Sequence, residues 1–148
     1  AFKDITIAHA YVDAMALNLV MKPWQYDVLV TENMFGDILS DLIAALVGGM
    51  GMAPSADIGD QYAVFQPSHG TAPDIAGQGI ANPSAMFLSA AMMLEWLSLR
   101  HQDPVLLKGA RMIEQALERA FQEGDVLPYD FGGRSDTAAV ARAVMARL

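Results

Sequence analysis

Sixteen consecutive residues near the middle of the chain, SHGTAPDIAGQGIANP (Ser68–Pro83), resist regular structure. Gly70, Pro73, Gly77 and Gly79 break helical and strand continuity before Asn82 is reached. A structureless loop of this length is uncommon in a compact domain and leans towards function. It also divides the chain. Ahead of it, short β-branched runs are mixed with helical ones; behind it the pattern is helical.

The N-terminal side begins with ITIAHAYVD (5–13), whose broad alternation of Ile5, Ile7, Tyr11 and Val12 predicts a strand. DAMALNLVMK then favours helix until Pro23 stops it. YDVLVT (Tyr26–Thr31) reads as a short buried strand. Asn33 suits the N-cap of a helix over Met34–Val47. Four glycines and Pro54 make Gly48–Asp60 a connection, and YAVFQP (Tyr62–Pro67) a strand.

After the long loop, a helix is predicted from Pro83 to about Arg100. It is apolar nearly all round, and therefore expected to be buried. A second helix covers Pro104–Phe121 and ends at Gly124. A third covers Asp136–Leu148, with Val140, Ala141, Val144 and Leu148 at helical spacing. The class is α/β with three strands. Three strands cannot cover so many apolar helix faces, so either the fold is mostly helical or the chain is part of a larger protein.

Composition narrows the function. Of 148 residues, 53% are hydrophobic and 18% charged, which excludes a disordered polar chain. A formal net charge of −8 disfavours nucleic acid and anionic membrane as partners. It also repels an anionic substrate unless a cation intervenes. There is no cysteine, so disulfides and thiolate metal sites are excluded, and a reducing cytoplasm is compatible. No apolar run reaches membrane-helix length, and no signal peptide is visible at the start.

Two stretches carry chemistry. NMFGDILSD (33–41) sets Asp37 and Asp41 just over one helical turn apart, so both carboxylates share a helix face. Hard oxygen ligands so placed suit Mg²⁺ or Mn²⁺, whereas a DxxxD pair in general is more often a solvated face. The apolar neighbours Phe35, Ile38, Leu39 and Leu42, and Gly36 just before Asp37, favour the metal reading. Asp13 offers a third carboxylate. In the long loop, Gly70, Gly77 and Gly79 allow a ligand to approach the backbone, and exposed N–H groups can meet phosphate oxygens. Asp74 could take a ribose diol. The pattern is neither GxGxxG nor a P-loop, and a structural Ω-like loop is the plain alternative. His69 could be a base, a ligand contact or a structural loop histidine. His9 and His101 read as structural or surface residues, and the methionines as core filler.

Taken together, these pieces resemble the decarboxylating β-hydroxyacid dehydrogenases, the isocitrate and 3-isopropylmalate dehydrogenase family. The resemblance rests on NMFGDILSDLIAALVGGMGM (33–52) and HGTAPDIAGQGIANP (69–83), with YVDAMALNLV (11–20) and AAMMLEWL (90–97) in support. It implies an isopropylmalate dehydrogenase-like α/β fold, here the C-terminal part of a two-domain enzyme. Residues 1–47 would end the second, metal-binding and dimerising domain, and 48–148 would form the C-terminal half of the nucleotide-binding one.

The resemblance also implies roles. Asp37 and Asp41 match metal ligands, and Asp13 matches the ligand given to the neighbouring subunit of a homodimer. The loop residues Gly70, Thr71, Ala72, Pro73, Asp74, Ile75 and Asn82 match nucleotide contacts, with His69 beside them. Asp-Ile at 74–75 implies NAD, since a 2′-phosphate would meet a like charge. The implied reaction is NAD- and Mg²⁺- or Mn²⁺-dependent oxidative decarboxylation of a malate-like 2-hydroxy acid. The first candidate is 3-isopropylmalate, as in leucine biosynthesis; tartrate or D-malate, homoisocitrate and isocitrate follow. The family's catalytic tyrosine and lysine have no counterpart in this sequence, so the 148 residues alone are expected to be inactive. At Gln66 relatives commonly carry an acidic residue, and at Ser68 an apolar one.

Overall fold

The computed structural model describes residues 4–148. Residues 1–3 of the N-terminal segment lie outside the described residues. The chain forms two compact units, one ending at Leu46 and one running Val47–Leu148.

The first unit is a helix pair. Helix α1 spans Val12–Met21, and Lys22 N–H still donates to the Asn18 carbonyl before Pro23 opens a single 3₁₀ turn. Helix α2 spans Asn33–Leu46. Its first turn is closed by Gly36 N–H donating to the Glu32 carbonyl, so Glu32 stands at the cap and Asn33 is already helical. The two helices pack on each other and bury Leu19, Leu39 and Ala44.

Neither strand expected here forms. Residues 5–11 have no regular structure and α1 starts inside the expected strand; residues 26–31 are not a strand either. Ile7, Val28 and Val30 are 78%, 80% and 93% exposed. The physical reason is the lack of a partner: a β-branched run becomes a strand only when another chain segment satisfies its N–H and C=O groups.

The second unit carries an antiparallel hairpin of β1 (Pro54–Ile58) and β2 (Ala63–Pro67). Its turn is closed by Gly59 N–H donating to the Tyr62 carbonyl. Pro54 and Pro67 face each other at the open end, where a missing N–H costs least. Strand β1 was expected to be loop. Its sequence PSADI has poor strand propensity, and pairing with β2 overrides it.

Helix α3 (Ser84–His101) packs against both strands and against α4 (Pro104–Gln122), which in turn packs on α5 (Thr137–Met145). Gln102, in the left-handed region, ends α3, and the Asp103 side chain accepts from Val105 N–H to start α4. Pro104 follows as the first helical residue. Gly124, at φ 74°, ends α4. The Asp136 carboxylate caps α5 by accepting from Ala139 N–H. The core lies between these helices: Ala116, Leu117, Ala120, Val126, Val140 and Val144, with Phe87, Leu88 and Phe121 packed against it.

The expected wholesale burial of α3 is not observed. Its buried face is Ser84, Ala85, Ser89, Ala91 and Ser98, while Met86 and Leu99 stay exposed. Small residues let α3 lie close to its neighbours; Phe87 and Leu88 reach the core, while Met86, Met93 and Leu99 stay at the surface. Met50 and Met93 are likewise exposed rather than core filler.

Candidate functional site

A concavity within the second unit has a volume of about 890 Å³. That is ample for a nucleotide-sized ligand. Its walls are the turn Gly48–Gly51, the loop residues His69–Ala72, Ile75–Gly77, Gly79, Ala81 and Asn82, and the Asp130 side chain.

Each wall is held from behind. The loop enters at Ser68, whose N–H and Oγ both donate to the Ala53 carbonyl at 3.0 and 2.9 Å. This fixes the end of the hairpin under the cleft, and it gives the unusual Ser68 a structural task. His69 Nδ1 lies 2.9 Å from the Gly70 carbonyl, to which it can donate, and this contact orients the ring at the cleft wall. Ala72 sits at φ 43°, in the left-handed region rarely taken by a residue with a side chain. It launches the 3₁₀ turn Pro73–Ile75, and Gln78 Nε2 donates to the Asp74 carbonyl at 2.8 Å to close the turn. Gly77 and Gly79 have φ of 77° and 67°, so these bends need glycine.

Asn82 is the hub at the loop's end. Its Oδ1 accepts from the Ser84 N–H (3.1 Å) and hydroxyl (2.6 Å), and its Nδ2 donates to Asp130 Oδ2 at 3.2 Å and to Met52 Sδ at 3.5 Å. Every donor and acceptor of the buried amide is thus used, which fixes its orientation. Gly51 passes directly beneath. A Cβ there would collide with the Asp130 carboxylate and come within 2.9 Å of the Asn82 Cβ. The Gly51 carbonyl accepts from Ala85 N–H in the first turn of α3 at 2.8 Å. Asp130 itself stands on a 3₁₀ turn (Tyr129–Phe131) held by a Leu127–Ser135 clasp, in which Ser135 N–H donates to the Leu127 carbonyl and Leu127 N–H donates to Ser135 Oγ.

Among the residues singled out from sequence, His69, Gly70, Thr71, Ala72, Ile75 and Asn82 line this one cleft. Pro73 and Asp74 lie between Ala72 and Ile75 on the 3₁₀ turn but are not part of its lining. The sequence reading missed Gly48–Gly51 and Asp130. The density of glycines at 48–51 was the available signal for a close approach; nothing local marks Asp130.

In the first unit, Asp37 and Asp41 lie four residues apart on α2, both exposed, and Asp13 lies in the first turn of α1 with Oδ1 accepting from Ala14 N–H at 2.7 Å. Among the described residues, no three His, Asp or Glu side chains converge to hold a metal ion. The donor chemistry of Asp37 and Asp41 fits a hard divalent cation: two free carboxylates one turn apart, leaving further positions to other oxygens.

The fold itself is that of known dehydrogenases. The crystal structure of isocitrate dehydrogenase from Methylococcus capsulatus superposes with a TM-score of 0.87 at 42% identity, covering 99% of this chain and 42% of that one. The profile of the family described as isocitrate/isopropylmalate dehydrogenase matches residues 1–144, and the chain belongs to that family. It is 48% identical over 147 residues to the isocitrate/homoisocitrate dehydrogenase of Thermus thermophilus, covering 99% of this chain and 42% of that protein. It is also 48% identical to the 3-isopropylmalate dehydrogenase of Archaeoglobus fulgidus, with 99% and 43% covered. The chain therefore spans about two fifths of the length of the curated relatives it matches.

Proposed function

We propose that the protein carrying this chain is an NAD- and Mg²⁺- or Mn²⁺-dependent dehydrogenase. It would oxidise a malate-like 2-hydroxy acid at its hydroxyl carbon and release the β-carboxylate as CO₂. The observation that carries this reading is the glycine-walled cleft, formed by the same loop that the family resemblance assigns to the nucleotide. Left-handed glycines bring backbone N–H groups to the ligand surface, where they can meet phosphate oxygens. His69 offers a polar ring nitrogen at the cleft wall. Asp74 supports NAD over NADP, because its carboxylate can accept from a free 2′-hydroxyl and repels a 2′-phosphate.

Asp37 and Asp41 would hold the cation. When bound, it would neutralise the anionic substrate and polarise its 2-oxygen. Asp13 would complete the corresponding site of a second subunit, so the active form would be a homodimer. The charge of −8 supports a bound cation, since an acidic protein otherwise repels an organic acid.

The relatives act by name on isocitrate, homoisocitrate and 3-isopropylmalate. We take 3-isopropylmalate as the first substrate, in a cytoplasmic enzyme, with tartrate or D-malate, homoisocitrate and isocitrate as alternatives. The test is NADH formation by the intact protein across these acids, with Mn²⁺ or with chelator. Turnover should need the metal, and Asp37→Asn should lower it about 100-fold or more without unfolding the protein. Turnover that is unaffected by chelator, or near-normal in Asp37→Asn, refutes the metal role.

A further inference from the structure

The cleft loop is held by a residue that does not line the cleft. Thr137, the first residue of α5, donates its N–H to the Gly79 carbonyl at 2.8 Å and its hydroxyl to the Ala81 carbonyl at 2.5 Å. Gly79, Ala81 and the adjoining Asn82 are all wall residues. Asp136, just before it, caps α5 and so fixes the helix end from which Thr137 reaches the loop.

These two bonds have a stereochemical consequence. There are no cis peptides, and in a trans peptide the carbonyl of one residue points opposite to the N–H of the next. Holding the Gly79 and Ala81 carbonyls towards α5 therefore turns the N–H groups of Ile80 and Asn82 away from it. Neither N–H donates to a protein acceptor among the described residues. Asn82 is a largely buried residue whose open side is the cleft wall, so its N–H has no protein partner and the cleft is where a ligand could supply one. Its side chain is fully committed elsewhere, so the residue cannot swing round to relieve this.

We propose that Thr137 is a positioning residue for the dinucleotide site: by gripping two loop carbonyls from behind, it presents main-chain donors of the 80–82 segment to the ligand. The role rests on the dinucleotide reading of the cleft. It makes the C-terminal helix, far along the chain, a determinant of cofactor affinity.

The test is NAD titration and steady-state kinetics of the intact protein with Thr137→Val and Thr137→Ser. Valine keeps the shape and the main-chain bond but loses the hydroxyl. It should weaken NAD binding about 5- to 10-fold, the effect of one lost hydrogen bond and a loosened loop. The KM for NAD should rise in step, while kcat and the KM for the hydroxy acid stay within about twofold. Serine restores the hydroxyl and should restore affinity. A purely structural Thr137 would instead lower the thermal midpoint and the active fraction and leave NAD affinity unchanged.

Amide hydrogen exchange gives a second reading without substitution. The Thr137 N–H should be protected with and without NAD, and those of Ile80 and Asn82 should gain protection only with it. Equal NAD affinity in Thr137→Val, no rescue by serine, or an unprotected Thr137 N–H in the free protein overturns the proposal. Where the unsubstituted protein binds no NAD, the dinucleotide reading falls and this inference falls with it; where it binds and Thr137→Val binds equally well, only the inference falls.

Discussion

Gly51 shows how single residues set the cleft. Its position is dictated by neighbours: the Asn82–Asp130 hydrogen bond lies where a methyl group would go. Gly51→Ala should break that bond and tilt the loop end. We expect a loss of about 1–3 kcal/mol in stability, typical of overpacking, and at least about a tenfold loss in NAD affinity. Chemical denaturation with NAD titration checks both, and an unchanged affinity would show that the Asn82 hub does not shape the site. The same residues show what sequence can reveal. The placement of Asp37 and Asp41 one turn apart on a helix was legible from spacing, because helical periodicity is local. His69 and the glycines at 77 and 79 were legible because loop glycines mark unusual backbone. Asp130 was not, since its partner Asn82 is far away in sequence and only the tertiary fold joins them.

At the scale of elements, the helices of the second unit were legible because their caps are written in the chain. Asp103–Pro104, Gly124 and Asp136 stop and start them as their chemistry requires. Asp103→Ala should therefore cost about 0.5–2 kcal/mol by leaving the first turn of α4 uncapped, measured as a drop in thermal midpoint with NAD affinity retained. The strands were poorly legible. Strand β1 has almost no propensity and exists through pairing, whereas 5–11 and 26–31 have the propensity and lack the partner. Near the C-terminus, Arg147 joins α5 to the end of α4 through Glu123 and Asp125. The hydrogen bond to Glu123, then that to Asp125, raises the guanidinium pKa further. A raised basic pKa adds stability that is complete below the unfolded value and is lost only as pH rises through the folded one. That window lies far above neutrality, so Arg147 itself brings no pH dependence to the neutral range. The acidic partners are exposed, so salt should weaken the clasp modestly.

At the scale of the molecule, the cleft proposed for the nucleotide lies within Val47–Leu148, and the proposed turnover needs a tyrosine and a lysine that the family resemblance does not match to any residue of this sequence. It spans about two fifths of its curated relatives, and apolar residues such as Val28 and Val30 remain uncovered. We predict that these 148 residues, purified alone, form no NADH from 3-isopropylmalate, malate, tartrate or isocitrate with Mn²⁺. Turnover by the isolated chain would contradict that. The Val47–Leu148 unit is proposed to hold a dinucleotide and to prefer NAD. Calorimetric titration of the intact protein with NAD and NADP tests it most directly. Saturable binding of NAD, about tenfold or more tighter than that of NADP, is expected; binding of neither, or tighter binding of NADP, would contradict the dinucleotide reading.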